Sequence, residues 1–406
     1  MSSSIRKIFI MNIISSIIYI YVGIFINLYI WEAGQSISDV AWYNIVLFTG
    51  WSISYGCGTF LVHKLGMRKL ITISAISVGL AFALLAWMPP FEKIWWLASI
   101  ALPVGLSWGL YSATQNISLT IIGRDNDFSV YFAYSTLAGQ VLSMIVPIIY
   151  AQVILKFGYS ASFIAMIVFV IIMIIYAKLL PHLPKEESRI STQGNSGEPT
   201  LSPLGIFKQV GKQMMQPKYF WLTFSIFAAG IFLQFQNLFT LLFTFSVTQD
   251  KTLISLLNAL YTLAGVGALF LYKRIKLTNM KWLWIGAALL SFGFIIVTIP
   301  MPTASAKSIL LISSNVISAI GMLLFASTWN AITFNSIRFL SDQQRTMFLV
   351  WREWLLCISR ILLLTIVLSL SDLSGWLFNV IVAFTVISLL TIPLTMNIAI
   401  KRIDRN

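Results

Sequence analysis

Three charges, Arg352, Glu353 and Arg360, interrupt an otherwise apolar stretch between Met347 and Ser371. Arg360 lies 13 residues into that stretch, roughly 20 Å along a helix axis at 1.5 Å per residue. In a helix that crosses a bilayer this is near the middle of a hydrocarbon core about 30 Å thick. A guanidinium there costs about 2.5–3.5 kcal/mol on insertion scales, so something must compensate it. Either it faces a cavity and holds an anionic solute group or a coupling carboxylate, or a fixed ion pair or backbone carbonyls neutralise it. Glu353 precedes Arg360 by seven residues, on nearly the same helix face and about 10.5 Å away along the axis. The other carboxylates considered, Glu32, Asp39, Asp125, Asp127 and Asp342, fall at span boundaries or in loops. Glu353 is therefore the best candidate for binding a proton, with a gate salt bridge to Arg352, Lys64 or Arg68 as the competing role.

Uncharged polar groups inside apolar runs form a second tier. Gln140 aligns with Arg360 when Gly139-Gln140-Val141-Leu142 is set against Ser359-Arg360-Ile361-Leu362. Gln234 and Asn237 share a helix face, with Gly230 one turn earlier. Buried amides need partners, and either a polar solute or a neighbouring helix can supply them. Tyr19, Tyr134 and Tyr261 are candidate cavity-lining aromatics, and Asn116 and Asn330 fall near the inner ends of their spans, where a gate would lie. Gly105 and Gly109, four residues apart, suit close helix packing.

The elements that must position these groups follow from composition. Of 406 residues 58% are hydrophobic and only 10% are charged, whereas a soluble domain carries about 25% charged residues. The surface must face lipid. A net charge of +14 would suggest nucleic acid in a soluble protein, but membrane proteins also gather Lys and Arg in cytoplasmic loops. The two cysteines, Cys57 and Cys357, sit in apolar stretches and the two histidines are His63 and His182. Neither a disulfide framework nor a Cys- or His-rich metal site is supported. No phosphate-cradling glycine-rich loop is present, and no set of His, Asp and Glu suggests an enzyme. No cofactor is expected.

Twelve uncharged or nearly uncharged runs are long enough to span a bilayer. Six cover Ile8–Trp31, Val40–Val62, Leu70–Phe91, Ile94–Gly123, Phe128–Leu155 and Phe157–Ala177. Six more cover Tyr219–Gln249, Thr252–Tyr272, Trp282–Ala306, Ser308–Ile337, Met347–Ser371 and Leu373–Ile400. The polar stretch Pro181–Lys218 between them reads as a mobile loop. With the N-terminus in the cytoplasm, the opposite side receives only Lys93, Lys156, Lys251 and Lys307, so both termini and the central loop are expected on the cytoplasmic side. Tyr111-Ser112-Ala113-Thr114-Gln115-Asn116 and Phe325-Ala326-Ser327-Thr328-Trp329-Asn330 echo each other at an offset of 214, which also pairs Arg124 with Arg338.

The expected fold is an all-α integral membrane protein with twelve transmembrane helices in two pseudo-symmetric six-helix bundles, residues 1–180 and 219–406, joined by a cytoplasmic linker at 181–218. Over its full length the chain resembles the major facilitator superfamily, and within it a poorly characterised Gram-positive bacterial branch through Arg352-Glu353-Trp354 and Ser359-Arg360. The superfamily signature after the second span is matched in part by Gly58, His63, Lys64, Gly66, Arg68 and Lys69, with His63 where an acid is usual. The resemblance implies a secondary transporter working by alternating access around a site near the midplane. Proton-coupled drug exporters place Arg where this chain has Ala101, and of their span 5 pattern Pro147 remains. The substrate-binding set is then Arg360, Gln140, Gln234, Asn237, Tyr19 and Tyr261. The coupling or gating set is Glu353, Arg352, His63, Lys64, Arg68, Asn116 and Asn330. The expected partners are a small-molecule or lipid substrate, membrane lipids, and protons or sodium as coupling ion, with no nucleic acid. The chain is read as a monomer in the cell membrane, with a lean to export of an anionic or amphipathic compound. The alternatives are a lipid or glycolipid flippase and an uptake facilitator for a small organic anion or sugar-like solute.

Overall fold

The computed structural model describes residues 2–88, 92–122, 125–182, 203–248, 250–272, 280–337, 340–373 and 375–404. Twelve α-helices run through them. α1 (Ser3–Tyr21) passes through a π-helical segment, Val22–Ile26, into α2 (Asn27–Gly34). Then follow α3 (Ile37–Trp87), α4 (Lys93–Ile122), α5 (Asp125–Ala177) and α6 (Pro203–Met214). The second half holds α7 (Phe220–Val247), α8 (Lys251–Tyr272), α9 (Met280–Ile296), α10 (Ala304–Ser336), α11 (Asp342–Val367) and α12 (Trp376–Asp404). Among the described residues eight segments are long and apolar enough to cross a membrane, two of them within α3.

The 51 residues of α3 and the 53 of α5 make each far longer than a bilayer core at 1.5 Å per residue. Each is broken by one glycine: Gly66 with φ 77° and ψ 161°, and Gly158 with φ 81° and ψ 173°. Only glycine adopts that region without strain. A Cβ at either position would touch nothing within 4 Å, so the backbone angle alone demands glycine.

Two compact units emerge. The first comprises Met1–Phe25, Trp42–Leu142 and Val153–Gln209, and the second Ile26–Ala41, Ser143–Gln152 and Val210–Asn406. In the first, Tyr21, Phe25, Phe82 and Phe163 pack ring against ring, and the Tyr21 hydroxyl meets Ser162 Oγ at 2.6 Å. α4 presses on α3 through Gly105 and Gly109, where a Cβ would run into Leu47 O and into Ser54 Oγ and Trp51 O. The close packing expected of that pair is observed. In the second unit α7 is central. Its Phe232, Phe235 and Phe239 meet Phe325 of α10, Phe294 of α9 and Phe378 of α12 at 4.8, 4.7 and 5.5 Å between ring centres.

Contacts in one unit repeat in the other. In the first, Gln115 Nε2 donates to Asn12 Oδ1 at 2.9 Å, and in the second Trp329 Nε1 donates to Ser225 Oγ at 3.2 Å. Asn12 and Ser225 are 213 positions apart, and Gln115 and Trp329 are 214 apart. The ring pair Tyr19–Tyr111 at 5.4 Å has its counterpart at the same offsets in Phe232–Phe325 at 4.8 Å. Different side chains thus hold equivalent helix pairs.

The central stretch differs from the expectation of a loop. Part of it is the helix α6, whose Val210 and Met214 are buried while Lys208, Gln209 and Lys212 are exposed. Apolar residues at i and i+4 give it one face to bury, and Gly211 lies so close to the Trp351 ring of α11 that a Cβ would not fit. The polar residues 183–202 lie outside the described residues, as do 273–279, Arg124 and Arg338.

Candidate functional site

Two helices of the second unit, α7 and α11, carry five of the singled-out groups: Gln234, Asn237, Arg352, Glu353 and Arg360. α7 and α11 touch where Gly230 meets Leu356 and Ser359, and a Cβ at Gly230 would collide with Ser359 Oγ. This contact sets Arg360, the next residue, at the level of Gly230. Arg360 is half-buried with its Nε shielded from solvent. Glu353 is half-buried as well.

Arg352 and Asn330, both expected near a gate, are brought together: Arg352 Nη2 donates to Asn330 Oδ1 at 2.7 Å. The guanidinium carbon also lies 5.2 Å from the centre of the Trp329 ring, whose Nε1 in turn reaches Ser225. Hydrogen bond, cation–π contact and indole donor tie α11 to α10 and α10 to α7.

Gln234 and Asn237 occupy different environments. Gln234 is buried, with no hydrogen-bond partner for its Oε1 among the described residues, while Asn237 is exposed. Between them Gln236, not singled out from the sequence, heads a polar chain. Its Nε2 donates to Thr240 Oγ1 at 2.8 Å, and Thr244 Oγ1 donates to Thr240 O at 2.8 Å. Asn315 of α10 donates to Thr240 O at 3.1 Å and to Thr244 Oγ1 at 3.3 Å. Thr244 reaches the Tyr261 hydroxyl of α8 at 3.5 Å. Tyr261 is the one member of this chain named from the sequence. Ser313-Ser314-Asn315, a polar triplet inside an apolar run, was the signal that would have found Asn315.

In the first unit Tyr19 is placed by α4. Its hydroxyl lies 3.4 Å from Ser107 Oγ, and Ser74 Oγ donates to Ser107 O at 2.9 Å. Its ring is flanked edge-on by Trp108 and Tyr111 at 5.5 and 5.4 Å, and Trp108 meets Trp51 at 5.2 Å. Asn116 donates to the Tyr55 hydroxyl at 3.1 Å, and Gln115 bonds the Tyr131 hydroxyl as well as Asn12. Gln140 is half-buried on α5 and Tyr134 is exposed. Arg68 Nε donates to Leu180 O at 2.7 Å, pinning the start of the second half of α3 to the end of α5. Lys64 is exposed, and the His63 side chain lies outside the described residues. Among the described residues no three His, Cys, Asp or Glu side chains gather where a metal could sit.

No family model matches the chain, and no curated protein does. Solved structures do. A nucleoside transporter, NupG in a mutant form, matches at 16% identity with a TM-score of 0.67, over 97% of this chain and 100% of its own. A D-xylose-proton symporter matches at 12% identity and 0.69, over 96% and 97%. A POT family transporter in complex with 5-aminolevulinic acid matches at 13% identity and 0.70, over 98% and 96%. All three are transporters and none is an enzyme. Likeness over nearly the whole length, together with its long apolar helices, makes this chain a multi-pass membrane protein with the major facilitator fold.

Proposed function

We propose that the chain is a secondary transporter of a small polar solute that works by alternating access. On this reading it has twelve membrane-spanning helices in two pseudo-symmetric six-helix bundles, residues 1–180 and 219–406, with the linker 181–218 and both termini in the cytoplasm. It acts as a monomer in the cell membrane. The observation that carries the reading is Arg360: a half-buried basic side chain on α11, level with a glycine contact that holds α11 against α7. Ionisable groups at such depth mark solute or ion pathways. Arg360 holds an anionic group of the solute, and Glu353, seven residues earlier on the same helix, exchanges the coupling proton. Protons rather than sodium fit the neighbours, one of which is named a proton symporter. Those neighbours lend no support to export, which the sequence had favoured. The contact between Arg352 and Asn330 serves as an inner brace of α11. Gln234, Asn237 and Tyr261 from the second half and Tyr19 and Gln140 from the first complete the solute-binding set.

The test is uptake into liposomes with an alkaline interior, using labelled sugars, nucleosides, dipeptides and small carboxylates. At least one class accumulates and is released by a protonophore. Arg360→Gln lowers the rate at least tenfold, about what the loss of one charge-assisted hydrogen bond removes, and Arg360→Lys keeps part of it. Equal transport by Arg360→Gln at normal abundance sinks the role of Arg360, and accumulation of no class sinks the transporter.

A further inference from the structure

The polar chain on α7, α8 and α10 has a direction. Every amide nitrogen in it is turned toward a helix: Gln236 Nε2 to Thr240, and Asn315 Nδ2 to Thr240 O and Thr244 Oγ1. That orientation leaves both amide oxygens, which accept, together with the second N–H of Gln236. Gln236 Oε1 is buried and has no donor among the described residues, with the residue only 8% exposed. Asn315 is 2% exposed, Thr244 0% and Tyr261 6%, so the chain is sheltered, while Asn237, next to Gln236, is exposed and Thr240 is half-buried. Asn237, Thr240 and Thr244 follow one another at i, i+3 and i+7, along one face of α7. Tyr261 lies ten residues into α8, about 15 Å from its start, well inside an apolar helix where lipid offers nothing to an unsatisfied acceptor.

We propose that Gln236 Oε1 and Asn315 Oδ1 form a subsite that accepts hydrogen bonds from hydroxyl groups of the transported solute. The solute is then a polyhydroxylated molecule of the sugar or nucleoside kind, uncharged at this end. The inference deepens the transporter reading and rests on it. Three features select hydroxyls. Two of the three free positions are carbonyl oxygens, which repel an anion, and the third is an amide N–H, which pairs with a hydroxyl oxygen. The chain holds no carboxylate, so a bare cation at this depth would lack a countercharge. The neighbouring Thr244 and Tyr261 hydroxyls both donate and accept, as a solute hydroxyl does. Gln236 is six residues beyond Gly230, about 9 Å further along α7 than the level of Arg360. The subsite is thus separate from the guanidinium and reads another part of the solute.

The experiment measures binding to the purified full-length protein with D-xylose, D-glucose, uridine and adenosine, each beside an analogue lacking one hydroxyl. The parent protein binds at least one probe, and the matching deoxy analogue about tenfold more weakly, the equivalent of one hydrogen bond. Gln236→Met weakens the hydroxylated probe about tenfold and removes its advantage over the deoxy analogue. Gln236→Asn, which keeps an amide, retains part of it and serves as the folded comparison should Gln236→Met not fold. Binding of none of the probes overturns the proposal. So does equal binding of probe and deoxy analogue by the parent, or unchanged discrimination in both variants. Uptake of the same probe into liposomes separates the two ideas. A probe that binds through Gln236 but is not carried defeats the transporter and leaves the subsite. A probe carried equally by parent and Gln236→Met defeats the subsite and leaves the transporter.

Discussion

Replacing Arg352 and Asn330 singly and together measures how firmly α11 is held to α10. The pair is joined at 2.7 Å, and the same guanidinium lies 5.2 Å from the Trp329 ring centre. In soluble proteins a hydrogen bond to a charged group contributes about 1.5–3 kcal/mol and a cation over an indole about 0.5–2 kcal/mol. Between membrane helices measured couplings are smaller, about 0.6 kcal/mol on average with a maximum near 1.7, because the unfolded helix also finds partners in the membrane. The charge and the short distance place this pair at the upper end, with a coupling of about 1–1.7 kcal/mol. Arg352→Ala, which loses hydrogen bond and ring contact together, is expected to destabilise by about 2–3 kcal/mol, and Asn330→Ala by about 1–2 kcal/mol. The double variant then falls short of their sum by the coupling. Reversible unfolding in mixed micelles with rising dodecyl sulfate yields the four free energies. Arg352→Lys adds a control, since an ammonium keeps the charge but not the planar stack on Trp329, and about half the loss should return. If the double variant equals the sum within about 0.3–0.5 kcal/mol, the contact carries no energy and Arg352 is no brace.

Three further outcomes follow from packing and charge. Gly109→Ala drives a methyl into Ser54 Oγ and Trp51 O and should destabilise by about 1–3 kcal/mol, whereas Gly267→Ala, with nothing within 4 Å, should be neutral or stabilise in the same unfolding assay. Gly66→Ala meets no atom but must hold φ 77°; a loss of about 1–3 kcal/mol is expected, and an unchanged midpoint would contradict the backbone argument. Glu32 and Lys251 pair at 3.0 Å with side chains 25% and 20% exposed, so Lys251→Met should cost under about 1 kcal/mol. The charge-swapped double variant should recover what either single reversal loses, and the effect should shrink in high salt.

What could be read from the sequence was what the bilayer demands of any span. About 20 apolar residues and few charges mark a helix whatever its neighbours, and Phe220–Val247 and Trp376–Ile403 match their expected runs within a few residues. The break at Gly66 fell between two such runs, and the offset of 214 that pairs Gln115 with Trp329 and Tyr111 with Phe325 pointed to equivalent contacts that the structure contains. What could not be read was direction around the helix. In water a helix shows its buried face by a stripe of apolar residues, but in lipid the outward face is apolar too. Trp95 and Trp96 are adjacent and alike in type, yet Trp95 is 63% exposed and Trp96 5%. The π-helical segment Val22–Ile26 has no marker in its apolar sequence.

The two glutamines of α7 show how far that loss of information reaches. Gln234 and Gln236 stand two residues apart, about 200° around the axis, and the wedge of α7 that faces Asn315 is not the one that meets α11 at Gly230. On a helix with one lipid face, at most one such residue would be sheltered. Here both are, because α7 is surrounded: two-thirds of its apolar window is buried, against one-third for Ala138–Ala177, though both read as apolar spans. A helix enclosed in this way can hold polar groups at several angles at once, each meeting a different neighbour. Arg360 stood out by charge alone, on a helix that needed no such argument. Gln236 and Asn315 are legible only once α7, α8 and α10 are placed side by side, since their significance lies in which amide atoms the neighbours leave over.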